Sequence, residues 1–299
     1  DYVFPGASWF EKPSSCLSMY GTSNFIYLGE KAVEPLYERR DDYSFWRELG
    51  KRFYTKEEME KSWPEKTFEE VNEKWLAPLY QEKGVKSFNE FVHKVLYDIP
   101  DLVERKHEVI RPETGKPWGF ATHTGKFEFY STAMEHLGID PLPNYKENPE
   151  TPVADPEHAK EYPLILITGA RCARFYHTDY RQIKALRKLQ PDPQFQINPE
   201  TAYGLGIGQG DWCYIETLTG RIKMRANVTH VVHPRMVSAD HDWWFPEEIA
   251  EDPVLFRVFE SNANVLVPND RKFQDSATGA WTQTGLLCKV YKCPPYSTG

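Results

Sequence analysis

Two periodicities divide the chain. In the second half, Ile222, Met224, Ala226 and Val228 alternate with Arg221, Lys223, Arg225 and Asn227. That is the period of a strand with one buried face. The run Trp212-Cys213-Tyr214-Ile215-Glu216 precedes it across Thr219-Gly220, so the two segments predict an antiparallel hairpin. Leu164-Ile165-Leu166-Ile167 is continuously apolar and has the length of a strand buried on both faces. Phe195-Gln196-Ile197, Met236-Val237-Ser238-Ala239 and Leu286-Leu287-Cys288-Lys289-Val290 add further strands. Residues 183–189 read as a helix, and Asn198-Pro199-Glu200 opens another, with Asn at the cap and Pro at the first position. About six short strands with tight turns predict a closed barrel.

The first half follows the helical period instead. Phe45, Trp46, Leu49 and Phe53 fall on one face. Thr55 with Glu58, Thr67 with Glu70, and Ser87 with Glu90 repeat the capping-box spacing. The second box leads into Phe68, Val71 and Trp75, and the third into Phe88, Phe91, Val92, Val95 and Leu96. These aromatic stripes are expected to be core. Val3 to Ala7 and Lys126 to Tyr130 read as short strands, and Ser131 to Leu137 as a helix ended by Gly138. Prolines 141, 143, 149, 152, 156 and 163 then predict an extended connector, because each removes a donor and fixes the backbone. The expected organisation is a helical α/β portion over 1–145, a proline-rich linker over 146–161 and a β domain over 162–299.

Composition narrows the function. A net charge of -8 over 299 residues disfavours non-specific nucleic-acid binding, and no apolar run has the length of a membrane span. The five cysteines, Cys16, Cys172, Cys213, Cys288 and Cys293, form no C-x-x-C pair, so no zinc or iron–sulfur framework is indicated. Residues 151–299 hold nine arginines against seven lysines, the preference that planar anion recognition selects. The opening DYVFPGASWF has neither initiator Met nor signal peptide and reads as the interior of something longer.

The candidate chemistry follows the first barrel strand. After Thr168-Gly169 comes a loop carrying Arg171, Arg174, His177, Thr178 and Arg181. A rigid strand end that releases several arginines and a histidine suits an anionic ligand; the bland alternative is a solvated basic loop. Asp240-His241-Asp242 has carboxylates on either side of one histidine but no further paired partner, so no metal site is expected. Trp243-Trp244-Phe245 either lines a substrate funnel or packs between domains. The glycine run from Gly204 to Gly210 lacks the strand and helix of a dinucleotide fingerprint and is turn chemistry.

Taken in order, Y-P-L-I-L-I-T-G-x-R, F-Y-H-T-x-x-R, I-N-P-E-T-A-x-x-L-G-I-x-x-G-D-W, T-x-T-G-R-I-K, W-W-F-P-E and S-N-A-N-V-L resemble the C-terminal portion of molybdopterin-dependent oxidoreductases of the dimethyl sulfoxide reductase family. The last two pieces look closest to the thiosulfate/polysulfide reductase and acetylene hydratase-like branches. VFPGASWFEK and KAVEP resemble the middle α/β region that precedes the barrel. The resemblance implies a mixed α+β chain with a six-stranded double-psi β-barrel that caps bis-molybdopterin guanine dinucleotide carrying Mo or W. It implies cofactor contacts at Thr168, Gly169, Arg171, Arg174, His177, Thr178, Arg181, Asn262, Asn264 and Thr284, the arginines on phosphate and the amides on pterin edges. Some relatives place a lysine where this chain has Thr282-Gln283-Thr284, so that contact is altered.

The metal ligand and the family's iron–sulfur segment are not identifiable in these residues. The expected partners are therefore the remainder of the same catalytic subunit and an iron–sulfur electron-transfer subunit, with neither nucleic acid nor membrane span. Three functions compete: two-electron oxygen-atom or sulfur transfer by the full enzyme; hydration, transhydroxylation or dehydroxylation with the same cofactor; and a metal-free binding module.

Overall fold

The structure is a computed structural model that describes residues 2–16, 25–93, 97–98, 103–170 and 172–294. It divides into two compact units, Asp1–Gly119 and Phe120–Gly299. No helix among the described residues is long and apolar enough to cross a membrane.

The first unit holds strands β1 (Ser14–Cys16), β2 (Phe25–Gly29) and β3 (Tyr97–Asp98) in one antiparallel sheet of order β1-β2-β3. The same unit holds α1 (Asp42–Gly50), α2 (Lys56–Ser62), α3 (Phe68–Lys83) and α4 (Phe88–His93), with α4 against β2 and α3 against α4. The helix starts are built as the sequence predicts. Thr55 Oγ1 accepts from the Glu58 N–H at 3.3 Å, and the Glu58 carboxylate accepts from the Thr55 N–H at 2.7 Å. Thr67 and Ser87 cap α3 and α4 through the N–H groups of Glu70 and Glu90. Their return arms reach one residue further back, to the N–H groups of Lys66 and Lys86.

Several local expectations are corrected. Val3 to Ala7 forms no strand, only an isolated bridge from Gly6 to Arg40. Lys126 to Tyr130 is a series of bends organised by the Glu128 carboxylate, which accepts from Thr124 and Thr132. Its alternating Phe127 and Phe129 find no neighbouring strand and stay exposed. The aromatic stripes are only partly core. Met59, Leu76 and Phe91 are buried, whereas Trp46, Phe53 and Trp75 are 54%, 76% and 67% exposed. Helix α1 stops at Gly50, which packs on Met59, so Phe53 falls into the following turn. Val95 and Leu96 lie outside the described residues.

The second unit begins with α5 (Thr132–His136), capped by Ser131 and ended at Gly138 with φ +70°. Helix α6 (His158–Glu161) lies between Pro156 and Pro163, so the proline-rich stretch is not extended throughout. Strand β4 (Leu164–Ala170), helix α7 (Lys184–Leu189), β5 (Gln194–Ile197), α8 (Pro199–Gly204), β6 (Trp212–Glu216), β7 (Arg221–Val228), β8 (Met236–Asp240), α9 (Val258–Ser261) and β9 (Thr284–Lys292) complete the unit. The six strands close in the order β4-β8-β5-β7-β6-β9. The pairs β4·β8 and β5·β7 are parallel and the other four antiparallel. This is the expected six-stranded barrel in a mixed α+β chain.

The barrel fills with the inward residues of each strand, among them Leu166, Phe195, Ile197, Ile215, Ile222, Met224, Val237, Leu286 and Val290. Each such side chain contributes about 1.5–3 kcal/mol by leaving water. The segment 261–266 is fastened across the hairpin. Ser261 donates to the Lys223 carbonyl at 2.8 Å, Thr217 donates to the Leu266 carbonyl at 2.8 Å, and Ala263 and Leu266 enter the core.

Candidate functional site

Because β4 and β8 are parallel neighbours, with Ala170 opposite Asp240, both chains leave the barrel at one edge. Ligand sites favour such edges, where loops rest on rigid strand ends. The loop after β4 and the loop after β8 are tied together there. Arg181 is 2% exposed and donates to the backbone carbonyls of His177 and, at 3.4 Å, His241. Its guanidinium lies 5.0 Å from the Phe175 ring and 4.9 Å from the Trp243 ring. Trp244 Nε1 donates to the Thr178 carbonyl at 2.7 Å. The Gln190 amide donates to Asp240 Oδ2 at 2.8 Å and accepts from Cys172 Sγ and Arg174 Nη1. Burial lowers the Arg181 pKa and raises that of Asp240.

This lacing puts His177 Nδ1 3.1 Å from His241 Nε2, and Asp242 Oδ2 2.8 Å from the same nitrogen. His177 and Asp242 both hold left-handed backbone, with φ of 50° and 61°. Non-glycine residues adopt this region at a cost, and such residues cluster at functional sites.

Beside them lies a cavity of about 520 Å³. Thr178, Asp179, Gln182 and Asp242 line one side, and Trp243, Trp244, Leu255, Phe256, Phe259 and Asn262 line the rest. The volume is that of a small-molecule pocket. Its far wall is strained: Leu255, Phe256 and Arg257 have φ of 43°, 53° and 50° in succession. Arg257 holds that wall by pairing with Glu248 at 2.9 Å and Glu260 at 2.6 Å, and these carboxylates raise its pKa.

The predicted residues separate into groups. Thr178 and Asn262 line the cavity, and His177 stands beside it through Asp242. Arg181 is buried on two carbonyls, so it positions the loops rather than presenting a fork. Arg174 is exposed and reaches Gln190. Thr168 is buried and donates to the Gln283 carbonyl. Gly169, with φ +87°, sits at the bulge of β4, and Thr284 opens β9 opposite Ile167. Asn262 accepts from the Asn264 N–H at 2.9 Å; Asn264 itself is exposed and does not line the cavity. Arg171 lies outside the described residues. In the Trp243-Trp244-Phe245 triplet, Trp243 and Phe245 are buried with Phe175 inside the barrel unit, while Trp244 lines the cavity. Arg257 and Gln190 carry no motif that would have marked them.

Residues 164–281 match the molydopterin dinucleotide binding domain family. Acetylene hydratase of Syntrophotalea acetylenica is 32% identical over 98% of this chain and 38% of its own length. The structure of acetylene hydratase from Pelobacter acetylenicus superposes with a TM-score of 0.81 at 31% identity, over 97% of this chain and 38% of that one. Dopamine dehydroxylase of Eggerthella lenta is 38% identical over 59% of this chain and 17% of its own length. The barrel unit is thus a domain of the type that binds a molybdopterin dinucleotide. Over nearly its whole length the chain is similar to molybdopterin enzymes of the dimethyl sulfoxide reductase family, and residues 164–281 carry the dinucleotide binding domain. It spans well under half the length of these relatives.

Proposed function

We propose that the cavity between the β4 and β8 loops receives one ring-bearing part of a bis-molybdopterin guanine dinucleotide cofactor. The observation that carries this reading is the meeting of Thr178 and Asn262 with the Trp244 and Phe256 wall in about 520 Å³. That volume accommodates a ring system but not a whole dinucleotide. The donor set fits: hydroxyl and amide groups for polar ring edges, aromatic faces for the rings, and a buried Trp243 indole N–H with no partner among the described residues. Thr178 and Asn262 orient the ring, His177 and Arg174 contact its polar rim, and Arg181 holds the loops in place. Thr168, Gly169, Asn264 and Thr284 belong to the same binding edge along the rest of the cofactor, with Arg171 as a phosphate contact.

When bound, the metal of the cofactor, Mo or W, supplies two-electron chemistry for oxygen-atom or sulfur transfer. A second reading, hydration or reductive dehydroxylation with the same cofactor, is favoured by the names of the two relatives reported above. The exposed Trp46, Phe53 and Trp75 support packing of the first unit, with residues 1–145 as a middle region and 146–161 as a connector, against the remainder of a catalytic subunit. That remainder would carry the iron–sulfur cluster and meet an iron–sulfur electron-transfer subunit.

The test is cofactor retention in the full enzyme, read as Mo or W and pterin per chain. Asn262→Ala and Thr178→Val should each lower retention several-fold; undiminished retention in both would displace the cofactor from this cavity. A folded full-length protein with neither metal nor pterin would make it a metal-free binding module.

A further inference from the structure

We propose that His177, His241 and Asp242 bind a single zinc ion at the rim of the cavity. The three donors come from two loops 64 positions apart in sequence, yet their ligand atoms all lie within 4.8 Å of one another. The pairwise separations are 3.1 Å between the imidazoles, 2.8 Å from His241 to Asp242 and 3.7 Å from His177 to Asp242. Four ligands at about 2.0–2.1 Å around a tetrahedral zinc stand about 3.3 Å apart, and the three observed separations bracket that value. Two imidazole nitrogens with one carboxylate oxygen are a usual zinc set, and three protein ligands leave a fourth position for water or a ligand atom. Asp242 also lines the cavity, so the ion would stand at its edge.

The surroundings hold the donors where zinc needs them. Arg181 donates to the carbonyls of both histidines, and its guanidinium is held between the Phe175 and Trp243 rings. Two of the three donors sit on left-handed backbone, so the loops fix them against their own preference. The positive charge of Arg181 opposes a cation, and the carboxylates of Asp240 and Asp242 offset it. The inference does not depend on the cofactor reading, although both use His177, both rely on Arg181 to hold the loops, and Asp242 lines the cavity assigned to the cofactor.

The experiment uses the full chain, stripped by a chelator and titrated with Zn²⁺ against a chromophoric competitor. The expected result is one zinc per chain after gel filtration. His241→Gln and Asp242→Asn should each weaken binding by more than the about 10–100-fold that loss of an outer-shell partner costs. His158→Gln, at an exposed histidine paired with Asp155, should leave binding unchanged. Co²⁺ in place of zinc should give the visible absorption of a four-coordinate site. Folded wild type that retains no zinc, or a folded His241→Gln/Asp242→Asn double variant that retains it undiminished, overturns the proposal. Should the double variant fail to fold, a Co²⁺-loaded wild type without the four-coordinate band overturns it equally.

Discussion

At Gly220 the chain has no room for a methyl group. A Cβ there would stand 2.5 Å from the Val265 carbonyl oxygen and 3.0 Å from its Cγ1. The obstacle is backbone, and that backbone is held by the Thr217 hydroxyl on the Leu266 carbonyl. Gly220→Ala therefore forces the 261–266 segment off the hairpin. We expect a loss of about 1–3 kcal/mol, read as a lower denaturant midpoint with an unchanged slope. The N-A-N-V-L residues thus act first through packing: Ala263 and Leu266 fill the barrel, and Asn262 caps the short helix that carries them. Asn264 points outward from the same turn, which is why two asparagines two positions apart serve different surfaces.

Among the elements, the opening turn of the first unit depends on one carboxylate. Glu11 is 3% exposed and accepts from the Ser8 N–H at 2.8 Å, the Leu36 N–H at 2.9 Å and Arg39 Nη1 at 2.8 Å. The two backbone donors, then the guanidinium, hold its pKa down to about 2. A depressed carboxyl pKa contributes stability above the unfolded value and loses it as pH falls toward the folded one. Thermal melts of the wild type should therefore lose stability progressively from about pH 4.5 to pH 2. Glu11→Gln should be less stable at neutral pH and show a flatter acid limb; an identical limb in both proteins would remove Glu11 as the cause. Element types were legible wherever capping and period agreed, as in α2 and β7. They were misread at Lys126 to Tyr130, where alternation without a partner strand means nothing.

For the whole molecule, every barrel strand lies between residues 164 and 292, and the described residues of the core they enclose run from Leu164 to Val290. Residues 120–299 expressed alone should consequently fold and unfold in one cooperative transition. A broad, probe-dependent melt of that piece would mean that the barrel needs residues 1–119. The two cavities also differ in kind. The wide groove of the first unit, lined by Phe4, Trp46, Arg40 and Arg52, is larger at about 1050 Å³ but gathers no cluster of histidines. The smaller one stands where two parallel strands end, and titratable groups, aromatic faces and strained backbone coincide there.

The order of local signals along the chain determined the barrel and its helical companion, because hydrophobic period, caps and turn residues act over a few positions. It also pointed to the loop after β4 as the place for chemistry. Which of that loop's residues line the cavity was decided only by packing. Arg181 and Arg174 look alike in sequence, yet one is buried on two carbonyls and the other is exposed. Asp240-His241-Asp242 offers no second histidine within its own segment; His177 lies 64 residues from His241 and comes within 3.1 Å of it only when β4 and β8 pair in parallel. Non-local pairing brings donors together, and no spacing rule within one segment contains it.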